Sequence, residues 1–259
     1  MSGNTAQIVA RYEKAKAENR KNNLMFAERG VEFSDIDAAY IDAHAHIGAG
    51  TRIGPCVTIK GDAKIGEDCI IEQGCHIECA RIGAGCVIGQ HSRIIGSEIG
   101  DACNILQSVV TESVVGRSAS IGPFAYLRPG SEVGDHVRIG DFVEIKNARV
   151  DDGTKISHLS YVGDADLGKE INVGCGVVFV NYDGKEKHRS SVGDGAFIGC
   201  NVNLVSPVHV GENAYIAAGT TVTRDVPAGS LGVGRPKERV VEGWVARRGL
   251  LRGNIKEDR

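Results

Sequence analysis

Aliphatic residues recur at every sixth position over most of this chain. From Ile41 the sequence reads as consecutive hexapeptides, among them IDAHAH, IGAGTR, IGPCVT, IKGDAK and IGEDCI. After short changes of phase the pattern returns as IGAGCV at Ile82, IGPFAY at Ile121 and VGDGAF at Val192. A period of six fits neither the turn of an α-helix nor the alternation of an antiparallel sheet.

This repeat predicts an all-β fold, a left-handed parallel β-helix in which three hexapeptides make one coil. The aliphatic first residue points inward, the frequent Gly in second place suits the turn geometry, and the small fifth residue fits a corner. About ten coils, stacked at ~4.8 Å, are expected. Four cysteines fall at the fifth position and are expected to be small core residues: Cys69, Cys75, Cys86 and Cys103.

The repeat also divides the chain into three parts. Residues 1–40 are polar and rich in helix-forming residues, so we expect an N-terminal helical cap over the open edge of the β-helix. Residues 41–226 form the β-helix itself. Residues 227–259 form a C-terminal tail that closes the other end.

Composition excludes several classes of protein. The chain has 259 residues, of which 42% are hydrophobic and 24% charged, values that are ordinary for a soluble globular protein. The net charge of −3 gives no basic surplus, so no nucleic-acid partner is expected. We see neither a signal peptide nor an apolar run long enough for a membrane, and predict a cytoplasmic protein. The eight cysteines form no CxxC pair, so we expect no metal site.

Basic residues interrupt the repeat on one predicted face. Arg128 and Lys146 both occupy the second position of their hexapeptides and are 18 residues apart, which is one full coil. They are therefore expected to stack about 4.8 Å apart. An anion held between them would offset their repulsion. A solvated surface pair, neutralised by Glu132 or Glu144, is the alternative that the register leaves open.

An insertion breaks the repeat between VGCGVV and Val192. Counting coils places the inserted FVNYDGKEKHRSS on the same face as Arg128 and Lys146. Its hydrogen-bonding and basic side chains suit a sugar phosphate, although a plain surface loop is also possible. One coil earlier, His158 and Tyr161 replace small or neutral residues in the block ISHLSY.

Several segments together resemble one bacterial family. LRPG, EIKNARV, ISHLSYVGDADLG, NVGCG, NYDGKEKH and IAAGTTVTRDV are similar to the acetyltransferase domain of the bifunctional N-acetylglucosamine-1-phosphate uridyltransferase / glucosamine-1-phosphate acetyltransferase family. The resemblance is dense over residues 121–226, whereas over residues 41–120 little beyond the repeat agrees. It implies transfer of acetyl from acetyl-CoA to the amine of glucosamine-1-phosphate, for UDP-N-acetylglucosamine synthesis, without a metal. We expect a homotrimer, because flat faces pack about a threefold axis. The resemblance places the active site between subunits.

The resemblance also implies the roles of particular residues. His158 would be the general base, with Asn181 and Tyr182 around the reacting amine. Five residues would hold the amino-sugar phosphate: Arg128, Lys146, Tyr161, Asn172 and Lys187. Cys200 and Ala218 would line the path of acetyl-CoA, and Arg235 would meet a CoA phosphate. Cys200 stands where the family usually has Ser.

The choice of His158 as base has a chemical argument of its own. The amine of the sugar is mainly an ammonium ion at neutral pH and must lose a proton before it attacks a thioester. An imidazole titrates near neutral pH and suits this task. His188, inside the insertion, is the rival. Its neighbours Lys187 and Arg189 make it a poorer base through like-charge repulsion.

The nucleotidyltransferase domain with which the bifunctional enzymes of that family begin has no recognisable counterpart before Ile41. A Gly-rich loop carrying Arg and Lys for UTP is not found there, so we expect no uridylyl transfer by this chain alone. A separate nucleotidyltransferase is then a possible partner.

Three other interpretations are compatible with the repeat. The first is an acyltransferase for another amino or hydroxy sugar or its nucleotide. The second is a zinc carbonic anhydrase on the same fold, which needs three converging histidines. The candidates are His44, His46, His76, His91 and His136. The third is a non-catalytic subunit of a separate nucleotidyltransferase, against which His158 and the set of phosphate ligands argue.

Overall fold

The chain folds as a parallel β-helix with three sheets, and each coil contributes one strand to each sheet. The computed structural model describes residues 3–250, so residues 1–2 and 251–259, the ends of the predicted cap and tail, lie outside the described residues. All strand pairs within the sheets are parallel, and strands pair with those three places away along most of the chain. The predicted all-β parallel β-helix is confirmed. The sheets hold ten to twelve strands, compared with the ten coils expected.

Sheet A has twelve strands. They are β1 (Glu32–Phe33), β4 (Arg52–Ile53), β7 (Ile70–Ile71), β10 (Val87–Ile88), β13 (Asn104–Ile105), β16 (Ser120–Ile121), β19 (Arg138–Asp141), β22 (Lys155–His158), β25 (Asn172–Val173), β28 (Phe197–Ile198), β31 (Tyr215–Ile216) and β33 (Leu231–Gly232). Sheet B has eleven strands. They are β2 (Tyr40–Ile41), β5 (Thr58–Lys60), β8 (His76–Glu78), β11 (Arg93–Ile95), β14 (Val109–Thr111), β17 (Tyr126–Leu127), β20 (Glu144–Lys146), β23 (Tyr161–Gly163), β26 (Val178–Val180), β29 (Asn203–Val205) and β32 (Thr221–Val222).

Sheet C has ten strands. They are β3 (His46–Ile47), β6 (Lys64–Ile65), β9 (Arg81–Ile82), β12 (Glu98–Ile99), β15 (Val114–Val115), β18 (Glu132–Val133), β21 (Arg149–Val150), β24 (Ala165–Leu167), β27 (Ser190–Val192) and β30 (His209–Val210). The first and last strands, β1 and β33, lie outside the predicted range 41–226.

The core is filled by the first and fifth residues of the hexapeptides. Ile139, a first-position residue, is fully buried, as are many residues like it. Each such side chain contributes about 1.5–3 kcal/mol through burial. Fifth-position thiols and hydroxyls also donate to the second-position carbonyl of the following coil. Cys69 Sγ contacts the Gly83 oxygen at 3.1 Å, and Thr154 Oγ1 contacts the Gly168 oxygen at 2.8 Å. The four cysteines predicted to be core residues are all buried: Cys69, Cys75, Cys86 and Cys103.

Glycine is needed at these second positions for a different reason from the turn geometry that was expected. The left-handed backbone in these turns lies at the fourth position, as in Gly50 with φ 74° and Asp68 with φ 54°. At the second position the obstacle is the next coil. A Cβ on Gly199 would lie 2.6 Å from the backbone nitrogen of Ala218. At Gly199, coil stacking rather than turn geometry therefore excludes a side chain.

Helix α1 (Gly3–Glu28) covers the first coil with its C-terminal turns. Its sequence is dominated by good helix formers, and most of its surface is exposed. Phe26 is buried against the β-helix. The buried Asn23 donates from Nδ2 to the carbonyls of Ile36 and Ala39 at 2.8 and 2.9 Å. These contacts cover the edge of sheet B where β2 begins.

The segment between β33 and residue 250 is mostly irregular. It contains one short helix, α2 (Trp244–Arg247), with the Arg248 guanidinium 5.5 Å from the centroid of the Trp244 ring. Neither helix within residues 3–250 has the length and apolar character needed to cross a membrane.

Candidate active site

The turns between sheets A and B carry one column of small and polar side chains. Their third positions align in five consecutive coils because the strands before them are in register. The residues, here called the A–B column, are Asp141, His158, Cys175, Cys200 and Ala218. Backbone hydrogen bonds of 2.8 Å from Asn201 to Cys175 and from Gly219 to Cys200 keep these turns stacked.

His158 and Asp141 form a hydrogen-bonded pair within the column. His158 Nδ1 lies 2.6 Å from Asp141 Oδ1, and the His158 side chain is 58% exposed. The hydrogen bond holds the pKa of Asp141 below its usual range, so the carboxylate is ionised. Because Nδ1 is held by Asp141, proton exchange with a substrate falls to Nε2. Sequence reasoning missed Asp141, although it lies 17 residues before His158, one coil in this part of the chain.

Sheet B carries the predicted basic residues. Leu127 pairs with Ile145, which places Arg128 and Lys146 one coil apart on the same sheet, as expected. Arg128 donates from Nη1 to Glu144 at 2.7 Å. Glu144 was one of the two carboxylates considered as a neutralising partner, and it neutralises Arg128 rather than Lys146.

Lys146 instead meets a second lysine. The insertion brings Lys187 close to it, and the side-chain interaction with Lys146, followed by repulsion between their charges, lowers the pKa of Lys187. Asp164 attracts both lysines. Burial works against its ionisation, but hydrogen bonds from Asn147 and Asn181, with the attraction of the lysines, outweigh it and lower its pKa. Two ammonium groups beside one carboxylate leave a net positive charge here. Asp164 is the second residue that the sequence analysis missed.

Tyr161 joins this cluster from the neighbouring strand position. It lies opposite Glu144 in the pairing of β20 with β23. Its hydroxyl accepts a hydrogen bond from Asn181 Nδ2 at 3.5 Å, and its ring is half-buried. Four predicted acceptor-site residues, Lys146, Tyr161, Asn181 and Lys187, are therefore adjacent on one chain.

The inserted loop is a small hairpin that projects beyond β26. Tyr182 and Lys187 form an antiparallel bridge, and the Tyr182 hydroxyl donates to a carbonyl within the same loop at 2.7 Å. His188 Nε2 lies 2.7 Å from Asp183 Oδ2. The backbone N–H of Glu186, followed by His188, lowers the pKa of Asp183. The rival base His188 is thus held inside the loop.

The predicted acetyl-CoA residues lie together toward the C-terminal end. Cys200 and Ala218 are neighbours in the A–B column. Arg235 Nη1 donates to the Ala218 carbonyl at 2.8 Å. Asn172 lies apart from the other acceptor residues, because it is on sheet A in register with Phe197. Asn172 and Lys146 therefore occupy different faces of the same chain.

Large apolar side chains are exposed beside His158. Phe124, Phe142 and Leu159 follow one another in the fourth position of the A–B turns and are each more than half exposed. The rings of Phe124 and Phe142 stack with centroids 5.6 Å apart. Within residues 3–250, no three His, Cys, Asp or Glu side chains converge in an arrangement that could hold a metal ion.

Comparison with known proteins agrees with this architecture. The family model of the bacterial transferase hexapeptide (six repeats) matches residues 62–96, 112–147 and 189–224. The chain therefore contains hexapeptide repeats of the kind this transferase model describes.

Bifunctional GlmU proteins are among the relatives of this chain. The chain is 47% identical to the one from Clostridioides difficile over 254 residues, covering 97% of this chain and 50% of the relative. It is 49% identical to the one from Acetivibrio thermocellus over 225 residues, covering 87% and 45%. The chain spans about half the length of the curated relatives it matches. The resemblance stated above is confirmed: the chain matches the C-terminal acetyltransferase part of GlmU.

Solved structures of sugar acyltransferases are more distant. PerB from Caulobacter crescentus, in complex with CoA and GDP-perosamine, is 22% identical with a TM-score of 0.40, covering 50% of this chain and 68% of that one. LpxA from Bacteroides fragilis is 21% identical with a TM-score of 0.42, covering 73% and 68%. Similarity at this level carries no argument about the substrate.

Proposed function

We propose that this chain transfers an acetyl group from acetyl-CoA to the amine of glucosamine-1-phosphate. The proposal is carried by the cluster in which Lys146 and Lys187 lie near the Asp164 carboxylate, itself hydrogen-bonded to Asn147 and Asn181. Two like charges held together on a surface cost free energy, and a phosphate dianion bound beside them would offset that cost. The match to the C-terminal part of GlmU supports this acceptor.

His158 would act as the general base. Its Nε2 takes a proton from the sugar ammonium, and the free amine attacks the thioester carbonyl of acetyl-CoA. A C–N bond forms and the C–S bond breaks, and the attacking nitrogen releases its second proton to water to give the neutral amide. The proton held by the imidazolium passes to the leaving thiolate, which departs as the free thiol of CoA. Asp141, 2.6 Å from Nδ1, stabilises the imidazolium while it carries the proton. Asn181 and Tyr182 would surround the amine, and the backbone N–H of Cys200 would polarise the thioester.

Acetyl-CoA would approach along the A–B column toward the C-terminal end. Ala218 leaves room for the pantetheine arm, since its side chain is a single methyl group. The guanidinium of Arg235, anchored on the Ala218 carbonyl, would meet a phosphate of CoA.

We propose that the working form is a homotrimer with the site between subunits. Phe124, Phe142 and Leu159 form an exposed apolar row beside His158, and burial against a second copy would remove them from water. Within one chain, Asn172 and Lys146 lie on different faces. In the trimer, Asn172 of a neighbouring subunit would complete the acceptor site formed around Lys146. Light scattering tests this, since a stable monomer at working concentration contradicts it.

An acceptor screen tests the reaction. Glucosamine-1-phosphate, UDP-amino sugars and simple amino sugars are each incubated with acetyl-CoA, and release of free thiol is followed. We expect glucosamine-1-phosphate to give the highest kcat/KM. Preference for a UDP-amino sugar would indicate the runner-up function, an acyltransferase for another sugar.

A lysine variant tests the anion site directly. Lys146→Ala should raise the KM of the acceptor far more than that of acetyl-CoA, because one of the two ammonium groups facing the phosphate is lost. Lys64→Ala, on sheet C, is the matched control and should change neither value. Equal increases in both KM values would show that Lys146 has a structural role.

A further inference from the structure

Gly163 lies directly opposite Lys146 in the pairing of β20 with β23. The space that a side chain would occupy there is taken by two polar groups from nearby residues. A Cβ built on Gly163 would lie 2.4 Å from the Tyr161 hydroxyl oxygen and 2.8 Å from Asn181 Nδ2. The absence of a side chain thus lets these two groups meet above the strand.

The backbone itself does not require glycine at this position. Gly163 is not among the residues with positive φ, so an L-residue fits its conformation. The three atoms nearest its Cβ are the Tyr161 hydroxyl oxygen, the Tyr161 Cζ and Asn181 Nδ2, all of which belong to side chains rather than to the backbone. Gly199 is different, because a Cβ there would meet the backbone of the next coil at 2.6 Å. Alanine at residue 163 therefore moves Tyr161 and Asn181 rather than the fold.

We propose that Gly163 is a positioning residue of the acceptor site: having no side chain, it sets where the Tyr161 hydroxyl and the Asn181 amide stand relative to Lys146. The consequence for catalysis rests on the function proposed above, in which these groups contact an amino-sugar phosphate. Asn181 also donates a hydrogen bond to Asp164, whose carboxylate attracts both Lys146 and Lys187. A displaced Asn181 amide therefore also disturbs the interaction of this carboxylate with the two lysines.

The first test compares two glycine substitutions. Gly163→Ala should raise the acceptor KM about tenfold, the equivalent of losing one hydrogen bond, with acetyl-CoA KM and Tm unchanged. Gly232→Ala is the matched control: Gly232 also lacks positive φ, and its Cβ would first meet the end of the Ile216 side chain at 2.9 Å. It should change neither KM. Unfolding of Gly163→Ala, or equal rises in both KM values, would overturn the proposal.

A double variant tests the contact that the proposal invokes. Tyr161→Ala removes both atoms closest to the added Cβ, the hydroxyl oxygen at 2.4 Å and the ring Cζ at 2.6 Å. Gly163→Ala should therefore raise the acceptor KM by less in the Tyr161→Ala background than in the wild type. Independent effects, in which the two increases simply multiply, would mean that the glycine acts through something other than the Tyr161 side chain and would overturn the proposal.

A measurement without substrate separates this inference from the proposed function. The protein is labelled with 3-fluorotyrosine, and Tyr161→Phe identifies the ¹⁹F resonance of residue 161. Gly163→Ala should shift that resonance in the ligand-free protein, whereas Gly232→Ala should not. An unshifted resonance would overturn the proposal. A shifted resonance in a protein that acetylates no amino-sugar phosphate would retain the positioning role and refute the function.

Discussion

The turns between sheets C and A and those between sheets A and B are built from the same hexapeptide, yet their carboxylates do different things. At the C–A turns, third-position aspartates accept backbone N–H groups from the preceding coil. Asp135 accepts from Arg117 at 2.7 Å, Asp152 from Asp135 at 2.9 Å, and Asp194 from Lys169 at 2.8 Å. Asp135 and Asp152 also pair with the permanently charged side chains of Arg117 and Lys169. These carboxylates join one coil to the next.

At the A–B turns the third-position carboxylate instead has a histidine ring as its partner. Asp141 holds the ring of His158, which occupies the same position one coil later. A carboxylate bonded to a backbone N–H contributes to stability, whereas one bonded to an imidazole also sets how that ring handles a proton. Position in the repeat therefore does not decide the role; the residue in the adjacent coil does.

The largest expected effect is the difference between replacing a histidine in an A–B turn and replacing one in a C–A turn. His158→Asn should lower kcat by roughly 10²–10⁴-fold, the usual contribution of a positioned base, with little change in acceptor KM. His136→Asn, in a C–A turn, is the matched control and should leave kcat near normal. Asn suits the positive φ of 58° at residue 136.

A result with the loop histidine would break this comparison. If His158→Asn keeps near-normal kcat while His188→Asn abolishes activity, the loop carries the proton transfer. The A–B column would then have no more than a structural role.

The second prediction compares Asp141 with Asp135, one carboxylate from each kind of turn, in their effects on activity and stability. Asp141→Ala should lower kcat roughly ten- to a hundredfold, as for other residues that orient functional histidines. Asp135→Ala should leave kcat unchanged but lower Tm, because the Arg117 N–H loses its side-chain acceptor. Steady-state kinetics and thermal unfolding of both variants check this. Similar effects of the two substitutions on both quantities would contradict the assignment of separate roles.

The third prediction concerns acid stability. Hydrogen bonds lower the pKa of Asp135, first from the Arg117 N–H, and that of Asp152, first from Lys169. Between the unfolded and folded pKa values the unfolded chain binds more protons, so stability rises with pH. Their contribution is present above about pH 4 and is lost as the pH falls through the lowered values.

Thermal unfolding between pH 7 and about pH 3 measures this effect. The Tm of the wild type should fall more steeply on acidification than that of the Asp135→Ala/Asp152→Ala variant. Parallel curves would show that the C–A carboxylates are not the source of the acid sensitivity.

The smallest expected effect lies at Cys200. Cys200→Ser restores the residue that the family usually has and keeps the backbone N–H that is proposed to polarise the thioester. Since the side chain is exposed, the free energy of unfolding should change by less than about 0.5 kcal/mol, with kcat nearly unchanged. Denaturant unfolding and kinetics measure both. A large loss of kcat would mean that the thiol itself takes part in the reaction.

The sequence by itself determined the architecture. Burial at a period of six can be satisfied only if three short strands close each coil, so Ile139 and Cys69 could be placed in the core before any coordinates were known. It also placed Arg128 and Lys146 on one sheet, because one full coil separates them. These predictions depend on local periodicity, which every repeat reinforces.

The tertiary structure alone decided which side chains become partners. Arg128 binds Glu144 within sheet B, while Lys146 meets Lys187 from an insertion whose path the repeat does not specify. The bond between Asp141 and His158 likewise depends on the parallel register that stacks one residue on the other. Hydrogen bonds and ion pairs act over a few ångströms, so one residue of phase or one turn of a loop changes the partner while the periodic core stays the same.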